Sequence, residues 1–315
     1  MWLNDTSDLI ERLKKRGAKR IALQIPEGLK RQSAAIATAL KDAGFDVIVS
    51  GDPCYGACDL ALDTLRFTDV LVHFGHAPVN EHPEVMFEPW KIDFDSEVLE
   101  KALPFLNSNT IGLVTTVQHV HVIPAIETFL QSQGITCIVA DGGGRTPERG
   151  QVLGCSFSAA KVNGVDEILF IGTGLFHPVG IALATRARVI ALDPLAGTVQ
   201  EVSSDALLRR RFAVIEKARG AKRVGIIVST KSGQQRMDLA QRLIKLSPAA
   251  VIITMREISP DELLNLGFEC YVNTACPRLA YDDQVRFPVP VLSPQEFEIL
   301  CGERSWDAYA IDEIV

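Results

Sequence analysis

The chain has 315 residues, 47% of them hydrophobic and 23% charged, which is typical of globular proteins. Its formal net charge of −7 argues against a general nucleic-acid-binding surface. Because the N-terminus lacks a basic segment followed by an apolar stretch, and no apolar run reaches about 18 residues, we expect no secretory signal, no membrane span and a cytoplasmic location.

The first third of the chain has the pattern of β-strands that alternate with a helix. One β-rich run ends at Pro26, and the amphipathic segment after it is closed by Gly44. Two more β-rich runs follow. The predicted elements are a strand Arg20–Ile25, a helix Leu29–Asp42, and strands Asp46–Val49 and Val70–Phe74.

The same order of elements returns twice. The second pass has strands Thr110–Thr115, Thr136–Ala140 and Glu167–Ile171, with a helix Val120–Ser132 after the first strand. The third pass has strands Arg223–Val228, Val251–Thr254 and Phe268–Val272, with a helix Gln235–Ile244.

Strands rich in Val and Ile that alternate with amphipathic helices indicate parallel sheets covered on both faces. The three passes open 90 and 113 residues apart, which is too long for a solenoid and suggests domain triplication. We therefore predict an α/β protein of three homologous Rossmann-like domains around a pseudo-threefold axis. The expected boundaries are residues 1–95, 96–200 and 201–315.

The seven cysteines are scattered and odd in number, so a disulfide framework is improbable and thiol chemistry is the better hypothesis. Cys58, Cys155 and Cys276 each follow a strand or loop within one pass and precede a predicted helix. That edge of an α/β sheet binds ligands, and a helix N-terminus favours a thiolate. Three thiolates on a 4Fe–4S cluster would leave one iron open to a substrate.

Other interpretations of these cysteines remain open at this point. A lone loop cysteine is usually a small buried residue, and three thiolates with water also suit zinc. Cys54 and Cys58 form a Cys-x3-Cys pair, but position 61 is Ala, so the common Cys-x3-Cys-x2-Cys signature of radical S-adenosylmethionine enzymes is absent. Cys137, Cys270 and Cys301 lie on apolar segments, and we assign them to packing.

At the three cysteine segments, and over essentially the whole chain, the sequence resembles the archaeal 2-(3-amino-3-carboxypropyl)histidine synthases of diphthamide synthesis. Several of the matching motifs are six or more residues long. They are Gln24-Ile25-Pro26-Glu27-Gly28-Leu29, Tyr55-Gly56-Ala57-Cys58-Asp59, His73-Phe74-Gly75-His76, Gln118-His119-Val120-His121, Gly150-Gln151-Val152-Leu153-Gly154-Cys155, Phe170-Ile171-Gly172-Thr173-Gly174-Leu175-Phe176-His177-Pro178 and Ala275-Cys276-Pro277-Arg278.

The resemblance implies a homodimer with one 4Fe–4S cluster per subunit, held by Cys58, Cys155 and Cys276. It implies that the reduced cluster, supplied by an external electron donor, cleaves the Cγ–S bond of S-adenosylmethionine. The products would be methylthioadenosine and a 3-amino-3-carboxypropyl radical, which adds to imidazole C2 of a histidine in translation elongation factor 2.

The contacts to S-adenosylmethionine are predicted from polar segments near the ends of strands. The turn that contains Ser229, Lys231 and Gln234 could hold the methionine carboxylate through backbone N–H groups and the lysine charge. Arg278, two residues after a cysteine, could neutralise the same carboxylate or the cluster. The alternatives are a plain turn and a surface ion pair. Gln118 and His119 complete the candidate set, although strand-end histidines are more often structural.

Two rival functions follow from the same observations. A quinolinate synthase would also have three domains and a three-cysteine cluster, but its open iron serves a dehydration and condensation. A non-catalytic α/β binding protein would hold no iron. Formation of methylthioadenosine would distinguish the synthase from a quinolinate synthase. A colourless protein after anaerobic purification would favour the non-catalytic binding protein.

Overall fold

The computed structural model describes residues 6–314, and within them the chain forms three β-sheets from three successive stretches of sequence. The first sheet contains β1 (Arg20–Gln24), β2 (Asp46–Val49), β3 (Val70–Phe74) and β4 (Val85–Glu88). The second contains β5 (Thr110–Thr115), β6 (Thr136–Ile138), β7 (Glu167–Ile171), β8 (Arg188–Asp193) and β9 (Thr198–Val202). The third contains β10 (Val224–Ser229), β11 (Ala250–Met255), β12 (Cys270–Asn273) and β13 (Val291–Leu292).

The three sheets share one strand order. In each, the first strand lies between the second and the third, and the fourth follows the third, as in β2-β1-β3-β4. All these neighbours pair in parallel, and β9 alone is added antiparallel to β8. The predicted fold class, three homologous parallel α/β units, is confirmed.

Helices cover both faces of the sheets, which explains why central strands such as β3 and β7 are buried along their whole length. No helix among residues 6–314 is long and apolar enough to cross a membrane. The helices are α1 (Ser7–Lys15), α2 (Ser33–Asp42), α3 (Ile123–Ser132), α4 (Phe176–Thr185), α5 (Asp205–Ala218), α6 (Met237–Leu243), α7 (Pro260–Leu266), α8 (Arg278–Tyr281) and α9 (Pro294–Leu300).

Helix starts differ from the predicted ones by a few residues. The helix predicted from Leu29 begins at Ser33, because a 3₁₀ turn over Glu27–Gln32 precedes it. The helix predicted from Val120 likewise begins at Ile123 after a short 3₁₀ turn. Such turns are frequent at helix ends and share the apolar spacing of the helix that they extend.

Candidate metal centre

The three predicted cysteine ligands lie in connections that leave the carboxyl ends of parallel strands. Cys58 and Cys155 follow β2 and β6, the second strands of their sheets, whereas Cys276 follows β12, the third strand of its sheet. Cys276 therefore occupies a different position in its repeat from Cys58 and Cys155. The three loops can still meet, because carboxyl ends form one edge of each sheet.

The effect of a helix N-terminus, expected at all three thiols, is found only at Cys276, where the backbone N–H of Arg278 in α8 lowers the pKa against the larger effect of burial. Cys58 and Cys155 are followed by short 3₁₀ segments over Leu62–Arg66 and Ser158–Ala160, and Cys276 precedes the four-residue α8. Burial instead raises the pKa of Cys58 and Cys155 and raises that of Cys276 to about 12. Burial thus favours the neutral thiol at all three positions.

The three thiols share one poorly solvated space. After burial, the nearby thiols of Cys58 and Cys155 are the next causes of the high pKa of Cys276, and Cys58 also raises the pKa of Cys155. Mutual electrostatic influence of this kind requires short separations. The structure thus brings together one cysteine from each sheet.

A glycine turn from the third sheet packs directly on Cys58. The Gln234 amide nitrogen donates to the Cys58 sulfur at 3.1 Å, and the Gly233 N–H donates to the Cys58 carbonyl at 3.2 Å. A Cβ at Gly233 would lie 2.5 Å from the Cys58 Cα, so this approach requires glycine. Gln234, one of the predicted substrate contacts, thus has its amide on the Cys58 thiol.

Arg145 is a residue that the sequence analysis missed. Its side chain reaches from the second sheet to the glycine turn, where Nη2 donates to the Gly233 carbonyl at 2.8 Å. The residue is buried, and its Nε is without a hydrogen-bond partner among residues 6–314. The guanidinium also lowers the pKa of both Cys58 and Cys155, against the larger effect of burial. A buried cation therefore faces two of the three thiols.

The donor set fits a cluster better than a single zinc ion. Tetrahedral thiolate ligands of one zinc lie about 3.8 Å apart, given Zn–S bonds of about 2.3 Å. Among the residues that the structure describes, the three loop thiols do not form a set whose donor atoms all lie within 4.8 Å of one another. Wider spacing of soft thiolate donors suits an iron–sulfur cluster.

A cavity of about 340 Å³ opens beside Cys276 and gathers three of the predicted substrate contacts, Lys231, Gln234 and Arg278. The Lys231 ammonium already pairs with Asp59 at 2.9 Å and Glu257 at 3.0 Å. Arg278 pairs with Asp282 at 2.8 Å on the exposed rim. The cavity is of a size that accepts a small molecule.

The other predicted contacts lie elsewhere. Ser229 is fully buried, and its hydroxyl accepts the Lys231 N–H at 3.1 Å, so it shapes the turn from beneath. Gln118 donates to the Gly75 carbonyl and His119 bonds the Ile92 carbonyl, both at 2.9 Å. Neither Gln118 nor His119 lines this cavity.

The cysteines assigned to packing are in apolar surroundings. Cys270 is buried within the core of the third sheet, and Cys301 packs at its margin. Cys137 packs against the core of the second sheet. Their packing role is confirmed, whereas Cys54 lies beside two histidines that are described below.

Comparison with known proteins identifies the family. A family model described as "Putative diphthamide synthesis protein" matches residues 25–311. This chain belongs to the diphthamide synthesis family. Within the family, a 2-(3-amino-3-carboxypropyl)histidine synthase of Pyrococcus horikoshii is 38% identical, with 98% of this chain and 93% of the relative covered. A synthase of the same name from Methanocaldococcus jannaschii is 27% identical, with coverage of 97% and 90%.

A solved structure of this family agrees over the whole chain. The crystal structure of Dph2 from Pyrococcus horikoshii with a 4Fe–4S cluster superposes with a TM-score of 0.94 at 37% identity, covering 100% of this chain and 95% of that one. The three-sheet architecture is therefore that of a diphthamide synthesis protein whose structure contains a cluster.

Proposed function

We propose that this chain is a 2-(3-amino-3-carboxypropyl)histidine synthase that uses a 4Fe–4S cluster and S-adenosylmethionine. It would cleave the Cγ–S bond and transfer the 3-amino-3-carboxypropyl group to imidazole C2 of a histidine in elongation factor 2, the first step of diphthamide synthesis. The observation that carries the proposal is the meeting of Cys58, Cys155 and Cys276 beside a cavity, in a chain that matches synthases of this name over nearly its full length.

Cys58, Cys155 and Cys276 would hold the cluster, one from each sheet. When bound, the cluster supplies an electron to the sulfonium and an iron without a protein ligand. The chain's own contribution is to stabilise the thiolates: Gln234 donates to Cys58, and the Arg145 guanidinium faces Cys58 and Cys155. Both interactions stabilise the thiolate, which burial alone would destabilise by removing it from water.

The cavity beside Cys276 would bind the methionine end of the substrate. Arg278 is the proposed partner of the methionine carboxylate, because its surface ion pair with Asp282 is readily exchanged for a substrate carboxylate. Lys231, held by two carboxylates, would orient the turn and place Gln234 on the cluster side. Gln118 and His119 are left out of this binding set because their side chains are engaged outside the cavity.

The remaining assignments are proposals on the same basis. We assign the three sheets to domains 1–95, 96–200 and 201–315, with β9 (Thr198–Val202) of the second sheet extending two residues past the second boundary. The enzyme would work as a cytoplasmic homodimer with an external electron donor. The net charge of −7 would favour contact with a basic segment of the target protein.

The test is product analysis with anaerobically purified protein and dithionite. We expect a brown, iron-containing protein that converts S-adenosylmethionine to methylthioadenosine and modifies the histidine of elongation factor 2. Cys58→Ala, Cys155→Ala and Cys276→Ala should each lose iron and activity, with Cys301→Ala as the matched control. Release of 5′-deoxyadenosine, or a colourless protein without iron, would overturn the proposal.

A further inference from the structure

A second group of metal-ligating side chains lies in the first sheet, outside the three-cysteine centre. The Sγ of Cys54 and ring nitrogens of His73 and His76 all lie within 4.8 Å of one another. Cys54 belongs to the loop after β2, His73 is in β3, and His76 follows that strand. Neither histidine nor Cys54 has a role in the proposed function, so the group needs its own explanation.

The hydrogen bonds of Gln24 determine which nitrogen of His73 carries its proton. The Gln24 amide nitrogen donates to the Asp59 carbonyl at 2.6 Å, and its oxygen accepts the Ala61 N–H at 3.0 Å. That oxygen also lies 2.9 Å from His73 Nδ1, which must therefore be the protonated nitrogen. His73 Nε2 is left with its lone pair, and this atom is the one 2.9 Å from His76 Nδ1.

This arrangement has the form of a ligand histidine with an outer-sphere partner. A metal-binding histidine typically gives its other N–H to a carbonyl or carboxylate, which orients the ring and increases its basicity. Gln24 does this for His73. His73 and Cys54 are buried and His76 is partly exposed, so the group has a dry interior and one side toward solvent.

We infer that Cys54, His73 and His76 form a binding site for a single divalent transition metal ion, with zinc as its best match. One thiolate and two imidazoles are zinc ligands, and three protein ligands leave a fourth position for water. Zinc ligands of this kind lie about 3.3–3.6 Å apart, given bond lengths of about 2.0–2.3 Å, so the present donor atoms need shift by only about an ångström. Binding replaces the thiol proton of Cys54, which is released to solvent. It also breaks the His73–His76 hydrogen bond, and where His76 binds the metal through Nδ1 its ring proton moves to Nε2.

The location gives the site a role in positioning the loop of Cys58. Cys54 and Cys58 belong to one loop, and Gln24 ties His73 to the Asp59 and Ala61 backbone at the loop's far end. A metal on Cys54, His73 and His76 would thus fix both ends of the segment that carries Cys58. This inference does not rest on the proposed function, because zinc binding is measurable whatever the enzyme's product.

The test is zinc content in anaerobically purified full-length protein whose iron content is complete, after equilibrium dialysis against Zn²⁺ alone. We expect about one zinc per chain, with zinc-edge anomalous diffraction placing the ion between Cys54, His73 and His76. Cys54→Ala and His76→Gln should each lower bound zinc at least about tenfold. Cys270→Ala is the matched control, since it also removes a buried thiol.

Two outcomes would overturn the inference. The first is wild-type protein with full iron and no zinc at saturating Zn²⁺, which would leave the group as a hydrogen-bonded network only. The second is zinc that persists in both Cys54→Ala and His76→Gln, which would place the ion elsewhere. Because wild-type zinc content is informative by itself, poor folding of one variant does not remove the test.

Discussion

Replacing Arg145 with Gln should make the bound cluster harder to reduce. The guanidinium is buried, faces Cys58 and Cys155, and is anchored on the Gly233 carbonyl at 2.8 Å. At a separation of about 6 Å and an effective dielectric constant of about 20, one charge contributes about 2.8 kcal/mol. For a one-electron couple this corresponds to about 120 mV, since a tenfold change in the equilibrium constant is about 59 mV.

The assay is a redox titration followed by electron paramagnetic resonance. Arg145→Gln should shift the midpoint potential toward negative values by on the order of 100 mV, and Arg145→Lys should restore most of the shift. Arg149→Gln is the matched control, because Arg149 lies four residues away and is exposed in an ion pair with Glu127. An unchanged potential in Arg145→Gln protein with full iron would refute the electrostatic argument.

Three further predictions concern the thiol centre and its surroundings. Gly233→Ala should lower iron content, because the added methyl group would clash with the Cys58 backbone. Gly220→Ala should leave iron content unchanged, because the space around Gly220 is open. Iron analysis of both variants tests this. Arg278→Gln should raise the KM for S-adenosylmethionine with iron content unchanged, and an unchanged KM would remove Arg278 from the substrate site. The free energy of unfolding should fall as pH drops from 7 to 5. Burial lowers the pKa of His73 to about 3 and the pKa of His76 and His177 to about 4. Between pH 7 and 5 these histidines therefore take up protons only in the unfolded chain. Urea unfolding at both pH values measures this slope, which should be smaller in His177→Gln.

The strands were the most predictable part of this fold. Four of them, Asp46–Val49, Val70–Phe74, Thr110–Thr115 and Glu167–Ile171, have the predicted bounds. Short runs of Val, Ile and Leu bounded by polar or glycine residues are typical of buried strands in a parallel sheet, so their bounds can be read from the sequence. The strand order could not be read from these runs, because order depends on which helices pack on which face.

Helix α5 shows why some elements escaped prediction. Its face toward the core carries Leu207 and Ile215, but Arg211 lies between them and is also buried. The charge is accommodated because Arg211 pairs with Glu296, 85 residues away, at 2.8 Å from Nε. A buried arginine breaks the apolar pattern on which sequence-based assignment relies.

The thiol centre was only partly predictable for a similar reason. The three cysteines could be chosen from their loops and from the family motifs. Arg145 follows an unremarkable glycine run, and its importance arises from a contact with Gly233, 88 residues later in the chain. Long-range contacts of this kind leave no local pattern to find.

The contact of Gly233 with Cys58 constrains the order in which this protein can be assembled. The pocket wall is shared: the loop of Cys58 comes from the first sheet, Arg145 from the second, and the turn of Gly233 and Gln234 from the third. If Cys58, Cys155 and Cys276 hold the cluster as proposed, no single unit released from the nascent chain contains all of its ligands. Cluster insertion would then wait for the last third of the polypeptide, and the inserted cluster would hold all three units together.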